Sequence, residues 1–212
     1  KKAGLATAEK KDSQGLCFIG KVSLPQFLQQ QLVPKEGEIV EIFKDSPLFT
    51  QPIPEFSSKQ EELEFLSRKI NYKKSDGKVI GKHQGAQFFT IGQSKGLGIG
   101  GHKESCFIVS RDMENNILFV GEGHQFPGLL KKALKIDNSE LHWVRKDLQL
   151  KSGESMEVTA RFRYRQPLQK AMLYQFDDAF YIEFEELQSA IAEGQFAAWY
   201  DGEELLGSGV IS

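Results

Sequence analysis

From residue 128 onward the chain is interrupted too often for helices. Runs with strand character fall at Leu134–Trp143, Glu154–Tyr164, Ala171–Phe176, Ala179–Phe184, Phe196–Tyr200 and Glu204–Ile211. Turn pairs such as Asp177-Asp178 and Asp201-Gly202 join them. Six short strands in under ninety residues predict a closed antiparallel barrel. Gly121, Gly123, Pro127 and Gly128 form the clearest break in the chain and mark a domain boundary just ahead of the barrel. A length of 212 residues with 40% hydrophobic content supports two small cores and excludes disorder and collagen. A formal net charge of −2 gives no chain-wide basic field, so a nucleic-acid partner needs a local patch. No apolar run approaches the roughly 20 residues of a membrane span. Two cysteines, Cys17 and Cys106, cannot build a disulfide scaffold. The expected compartment is the cytoplasm.

The segment ahead of the break is mixed. The chain opens KKAGLATAEKKDSQGLCFIG, with neither an initiator Met nor a signal peptide, and reads as a piece of a longer protein. Ser23-Leu24-Pro25-Gln26 fits a capping box in front of a short amphipathic helix carrying Leu24, Phe27, Leu28 and Leu32. A strand follows at Glu38–Phe43. Residues 45–68 read as an acidic surface insertion: Pro47, Pro52 and Pro54 precede helical spacing at Leu63 and Leu66, behind a Ser58 to Glu61 capping box. Strand periodicity returns at Val79 and Ile80, Gln87–Ile91, Cys106–Val109 and Ile117–Val120, with Asn115-Asn116 turning a tight hairpin. The expected class is mainly β: an α+β central domain over 21–124, then the six-stranded barrel over 127–212, with residues 1–20 a tail from a preceding domain.

Four features could carry chemistry. Cys17 lies between Gly15 and Gly20 and near Lys10, Lys11 and Lys21. Neighbouring ammonium groups favour the thiolate a nucleophile needs, and the competing reading is a small buried Cys beside Phe18 and Ile19. Cys106 opens the apolar run Cys106-Phe107-Ile108-Val109 and reads as structural. His83, His102, His124 and His142 show no CxxC or HExxH partner spacing, so no zinc site is expected. Gly96, Gly98 and Gly101 satisfy GxGxxG formally, but loop and strand follow where a dinucleotide fold needs a helix. They read as a packed turn, with an RNA backbone as the other candidate neighbour. In Arg161-Phe162-Arg163-Tyr164-Arg165-Gln166 cations and aromatics interleave. As a strand, this would put Arg161, Arg163 and Arg165 on one face toward phosphates, with Phe162 and Tyr164 opposite. Tyr164 at the strand end could instead stack on a base, and a plain solvated charged face is the competing reading.

KKDSQGLCFIG, GKHQGAQFFTIGQSKGLGIGG, DMENNILFVGEGH, ARFRYRQP and EGQFAAWYDGEELLGSGVIS together resemble the C-terminal part of the bacterial tRNA-specific 2-thiouridylases. The resemblance runs from about Ala3 to Ser212, apart from the 45–68 stretch. It implies an enzyme that activates the C2 oxygen of a tRNA wobble uridine with ATP and replaces it with sulfur. It implies that Cys17 carries the sulfur as a persulfide from a donor or relay protein. It also implies tRNA contacts at Arg163, Tyr164 and Gln195, with Arg161 and Arg165 as additional phosphate contacts. The family barrel is similar to the second domain of translation elongation factors.

The family's ATP loop, of the SGGxDS kind, and its second catalytic cysteine belong to an N-terminal domain whose motif does not occur in these 212 residues. The expectation is a fragment inactive alone, with tRNA as partner and neither DNA, a membrane nor a metal. An older label for such proteins is a methyltransferase, and no methyl-donor loop leading into a helix supports it. The alternative is a non-catalytic RNA- or protein-binding module that keeps the fold only.

Overall fold

The computed structural model describes residues 33–163 and 166–212. Cys17, the helix expected after Ser23, Tyr164 and Arg165 lie outside the described residues. The elements are β1 (Gly37–Glu41), α1 (Pro47–Thr50), α2 (Lys59–Ser67), β2 (Lys78–His83), β3 (Cys106–Asp112) and β4 (Ile117–Glu122), then β5 (Leu130–Trp143), β6 (Ser155–Arg161), β7 (Gln169–Gln175), β8 (Ala179–Ser189), β9 (Phe196–Asp201) and β10 (Glu204–Ile211).

The last six strands close into the expected barrel, in the order β10-β5-β8-β7-β6-β9, with every pairing antiparallel. Alternation explains its core. Phe180, Ile182 and Phe184 of β8 point inward and join Leu134, Ile136, Leu173, Ala197 and Trp199. Trp199 packs on Phe180 and Trp143, with ring centroids 5.0 Å and 5.3 Å apart. Gly207 permits this, because a Cβ there would lie 2.5 Å from the Trp199 ring.

The first four strands form an open sheet in the order β2-β1-β4-β3, in which β1 and β4 run parallel. Both faces are covered, which is why CFIV and ILFV are continuous apolar runs. On one face Val40, Phe107, Val109 and Phe119 meet Phe126, Leu129 and Ala190, so the sheet rests on the chain entering the barrel and on its β8–β9 connection. On the other, Ile39, Ile108, Leu118 and Val120 lie under Leu97 and Ile99. The outer edge of β3 is capped by Gly92 and Gln93, which exchange backbone hydrogen bonds with Ile108.

Three expectations need correction. Gln87–Ile91 is not a strand but a 3-10 turn, Ala86–Phe88, followed by irregular chain. Positive φ at Gly85 and Gly92 bends both ends, and side chains take the backbone groups a ladder would use: Ala86 N–H donates to Asn116 Oδ1 and Arg111 donates to Phe89 O. The 45–68 stretch is not simply surface. Ser58 caps α2 by accepting from Glu61 N–H, although the Glu61 carboxylate turns to Ser57 rather than completing the box. One face of α2 then packs on the barrel exterior, burying Leu63 against Ala133, Ala179 and Tyr181. Lys59 reaches Glu183 at 3.0 Å and Gln60 reaches Asp178 at 2.8 Å. The third correction concerns the arginines. β6 ends at Arg161, because Gln166 folds back, accepting from Phe162 N–H and donating its own N–H to Arg163 O. Arg161 and Arg163 therefore do not share a strand face, although Phe162 does enter the barrel core.

Candidate nucleic-acid interface at one end of the barrel

Ala197 and Trp199 point into the barrel, so alternation turns Phe196, Ala198 and Tyr200 outward on β9. Arg161, the last residue of β6, lies opposite Ala198. Its guanidinium donates to the Tyr200 hydroxyl at 3.0 Å and sits 5.2 Å from the centroid of that ring. Phe196 is 66% exposed, an open aromatic face beside this pair.

Two residues past Arg161 the chain has left the strand, and the exposed Arg163 donates to Ala190 O at 2.8 Å. Ala190 begins the β8–β9 connection with φ 57°, a conformation L residues rarely adopt. Three contacts hold it there: the Arg163 bond, its own N–H donated to Leu129 O at 2.8 Å, and its buried methyl in the sheet core. Gln195 closes the same connection, its carbonyl accepting from Ile211 N–H at 2.8 Å. Its side-chain Oε1 is buried with no hydrogen-bond partner among the described residues. Such an acceptor costs about 1–3 kcal/mol unless a donor meets it. Arg163 and Gln195, distant in sequence, thus bracket one six-residue connection, 190–195, with Arg161, Tyr200 and Phe196 alongside.

Between this connection, β5 and the chain after α2 lies a cavity of about 220 Å³ lined by Leu66, Lys69, Tyr72, Lys131, Ala190 and Ile211. The Tyr72 hydroxyl is buried and has no hydrogen-bond partner among the described residues, and burial pushes its pKa above the ordinary phenol value. Burial likewise lowers Lys131, whose ammonium donates to Ser67 O at 2.8 Å. Lys69 pairs with Glu193 at 3.0 Å across the cavity mouth.

Sequence reasoning passed over Phe196, although its outward phase was legible from the buried Trp199 three residues on. It also passed over Ala190, for which nothing in the sequence signals a left-handed residue. Cys106 is 5% exposed, and burial with the Glu41 and Glu122 charges pushes its thiol up to about 11, which suits a structural residue rather than a nucleophile. Gly96, Gly98 and Gly101 have positive φ and open space where a Cβ would stand, so they bend the chain instead of packing tightly. Strand β3, not a helix that could receive a pyrophosphate, is the next element after them. No helix among the described residues is long and apolar enough to cross a membrane.

Sheet and barrel each match a family model. Residues 133–211 match the aminomethyltransferase beta-barrel domain, and residues 60–122 match the tRNA methyl transferase PRC-barrel domain. The second match begins inside α2, so the end of the stretch read as an insertion is family structure. Fold and matches together define a two-domain chain, an open sheet joined to a closed β-barrel. The chain is 59% identical over 208 residues to the tRNA-specific 2-thiouridylase MnmA of Flavobacterium johnsoniae, covering 98% of this chain and 53% of that protein. It is 45% identical to the protein of the same name from Karelsulcia muelleri, covering 100% and 52%. For that of Halalkalibacterium halodurans the identity is 39%, covering 99% and 47%. The chain spans about half the length of the curated relatives it matches. Over nearly its whole length it is similar to proteins named tRNA-specific 2-thiouridylase, and it carries the two domains that the family models describe.

Proposed function

We propose that this chain is the sulfur-carrying and tRNA-holding part of a tRNA-uridine 2-sulfurtransferase, with a central domain over 21–124 and a tRNA-binding barrel over 127–212. The observation that carries the reading is the match over essentially the whole chain to proteins named tRNA-specific 2-thiouridylase. In the reaction, ATP adenylates the uridine C2 oxygen and pyrophosphate leaves. The terminal sulfur of a Cys17 persulfide then attacks C2, and AMP departs with the original oxygen. A second thiolate, from the part of the enzyme that also holds ATP, cleaves the sulfur–sulfur bond. This frees the thiouridine and leaves a disulfide with Cys17, which an external dithiol reduces before a donor protein reloads the persulfide.

The barrel end supplies what holding RNA requires. Arg161 and Arg163 offer guanidinium groups to phosphates, Tyr164 and Arg165 follow directly in sequence, and Phe196 offers a stacking face. The unpartnered Gln195 oxygen is an acceptor for a ribose hydroxyl or a base amine. These contacts orient the tRNA while the wobble base is read elsewhere in the enzyme. The tail carrying Cys17 delivers the sulfur.

The test is 2-thiouridine content, by nucleoside mass spectrometry, in cells whose full-length gene carries Cys17→Ser at normal protein level. Loss of 2-thiouridine is expected. Retained thiolation would leave a tRNA-holding scaffold, the non-catalytic alternative. A parallel titration of the full-length Arg163→Ala and Tyr164→Ala variants with tRNA is expected to show weaker binding, the Arg effect fading as salt rises. Unchanged affinity across the salt series would remove the barrel end from the tRNA path.

A further inference from the structure

Away from the barrel end, three donors of different chemistry converge on the open sheet. Glu41 is the last residue of β1, Cys106 the first of β3, and His102 lies in the loop 93–105 that precedes β3. Glu41 is two residues past Ile39 and lies beside Val120 of β4, so it points to the same face as Cys106 and the apolar cluster of Ile39, Ile108, Leu118 and Val120. The 93–105 loop folds over that face, anchored by Leu97 and Ile99. Its glycines at 96, 98 and 101 take positive φ, which curls the backbone and sets His102 above the strands. The donor atoms of Glu41, His102 and Cys106 all lie within 4.8 Å of one another. His102 Nε2 is 3.1 Å from Glu41 Oε1.

Burial separates this group from an ordinary surface cluster. Glu41 is 8% exposed, Cys106 5%, and the His102 side chain 16%. A buried carboxylate is costly without a cation. Among the described residues no lysine or arginine pairs with Glu41, and its hydrogen-bonding side-chain partner is His102. A nucleophilic role for Cys106 does not fit, because its thiol is closed off from solvent and out of reach of a substrate.

We propose that Glu41, His102 and Cys106 bind one zinc-class divalent ion. Sulfur, imidazole nitrogen and carboxylate oxygen form the mixed donor set that four-coordinate zinc accepts, whereas magnesium and calcium take oxygen alone. Three protein donors leave one position for water. Binding displaces the Cys106 proton to solvent and changes no oxidation state: a sulfur–metal bond replaces a sulfur–hydrogen bond. The ion's effect is to tie the glycine-rich loop to the ends of β1 and β3. No linear motif announces the site, since Glu41 lies 61 residues from His102.

The experiment is a cobalt titration of the full-length protein after chelator treatment, read by absorption, with zinc competition. One equivalent of cobalt is expected to give a sulfur-to-cobalt charge-transfer band in the near-ultraviolet, abolished by zinc. Cys106→Ser removes the band, and Glu41→Gln and His102→Asn each weaken zinc by more than about tenfold. Circular dichroism of the metal-free variants checks the fold. Should Cys106→Ser unfold, the near-isosteric Glu41→Gln decides. A missing band in the parent protein, or a band and zinc affinity unchanged in the folded variants, overturns the proposal.

Discussion

The barrel and the sheet solve the same problem of burying strands in opposite ways. In the barrel every strand has two neighbours, and one core contains Trp143, Phe162, Phe180, Phe184 and Trp199, drawn from β5, β8, β9 and the flank of β6. The sheet has two edges and two separate thin cores, and much of what covers them is not strand at all. Leu97 and Ile99 come from a glycine-rich loop, Phe126 and Leu129 from the link to the barrel, and Ala190 from the barrel itself. A closed barrel needs little from outside, whereas an open sheet is finished by its surroundings. The functional features follow that difference. The candidate RNA contacts sit on a barrel rim whose walls are fixed, and the three convergent donors sit where a loop must fold correctly for them to meet.

The largest effect expected of a single change in this comparison is Trp199→Ala. Trp199 is fully buried and contacts Phe180 and Trp143, so its loss leaves a cavity in the one barrel core and costs about 3–5 kcal/mol. Urea denaturation followed by far-ultraviolet circular dichroism measures it. A cost below about 1 kcal/mol would mean that the barrel repacks as readily as a thin core. Next comes Leu63→Ala, in the four-residue cluster that fastens α2 to the barrel. That cluster is small and partly able to collapse, so the cost is at the lower end of the range, about 2 kcal/mol. Hydrogen exchange is expected to show α2 amides opening faster while those of β6 and β9 are unchanged. Equal acceleration in all three would show that α2 is part of the barrel's own cooperative unit.

The same contrast governs how much could be read without coordinates. Period-two alternation and turn pairs disclosed all six barrel strands, because in a closed barrel inside and outside are set along each strand. The buried sheet strands Cys106–Asp112 and Ile117–Glu122 announced themselves as continuous apolar runs. Gln87–Ile91 misled because its two phenylalanines suggest a strand, while the flanking left-handed glycines and the Asn116 side chain had already claimed the backbone. The arginine run misled in the opposite way. Its alternation was real as far as Phe162, but a glutamine side chain ended the ladder, which no period reveals. Arg163 was singled out by the arginine run and by family resemblance, Gln195 by the resemblance alone, and their shared place around one connection emerged only from the fold. Convergence of Glu41, His102 and Cys106 depends on strand order and loop curl, which local sequence does not encode.

The smallest expected effect lies in the sheet and is read against pH. His83 closes β2 at 4% exposure, its Nδ1 accepting from Gly85 N–H at 2.9 Å and its ring edge-on to Phe89. Accepting at Nδ1 puts the neutral ring's proton on Nε2, which is buried without a partner among the described residues. Burial is the largest influence and pulls the pKa below the ordinary 6.5, outweighing the neighbouring backbone groups that favour the imidazolium. The native protein therefore binds this proton less readily than the unfolded chain. Stability from the neutral ring is complete above about pH 6.5 and declines as pH falls from there through the lower folded value. Denaturation midpoints at steps between pH 8 and pH 5 should show the decline, and His83→Gln, which cannot titrate, should flatten it even if its absolute stability is lower. The two profiles differ only below about pH 6.5 if His83 is the group responsible. Parallel profiles throughout would shift responsibility to other groups and leave the sheet no more sensitive to acid than the barrel.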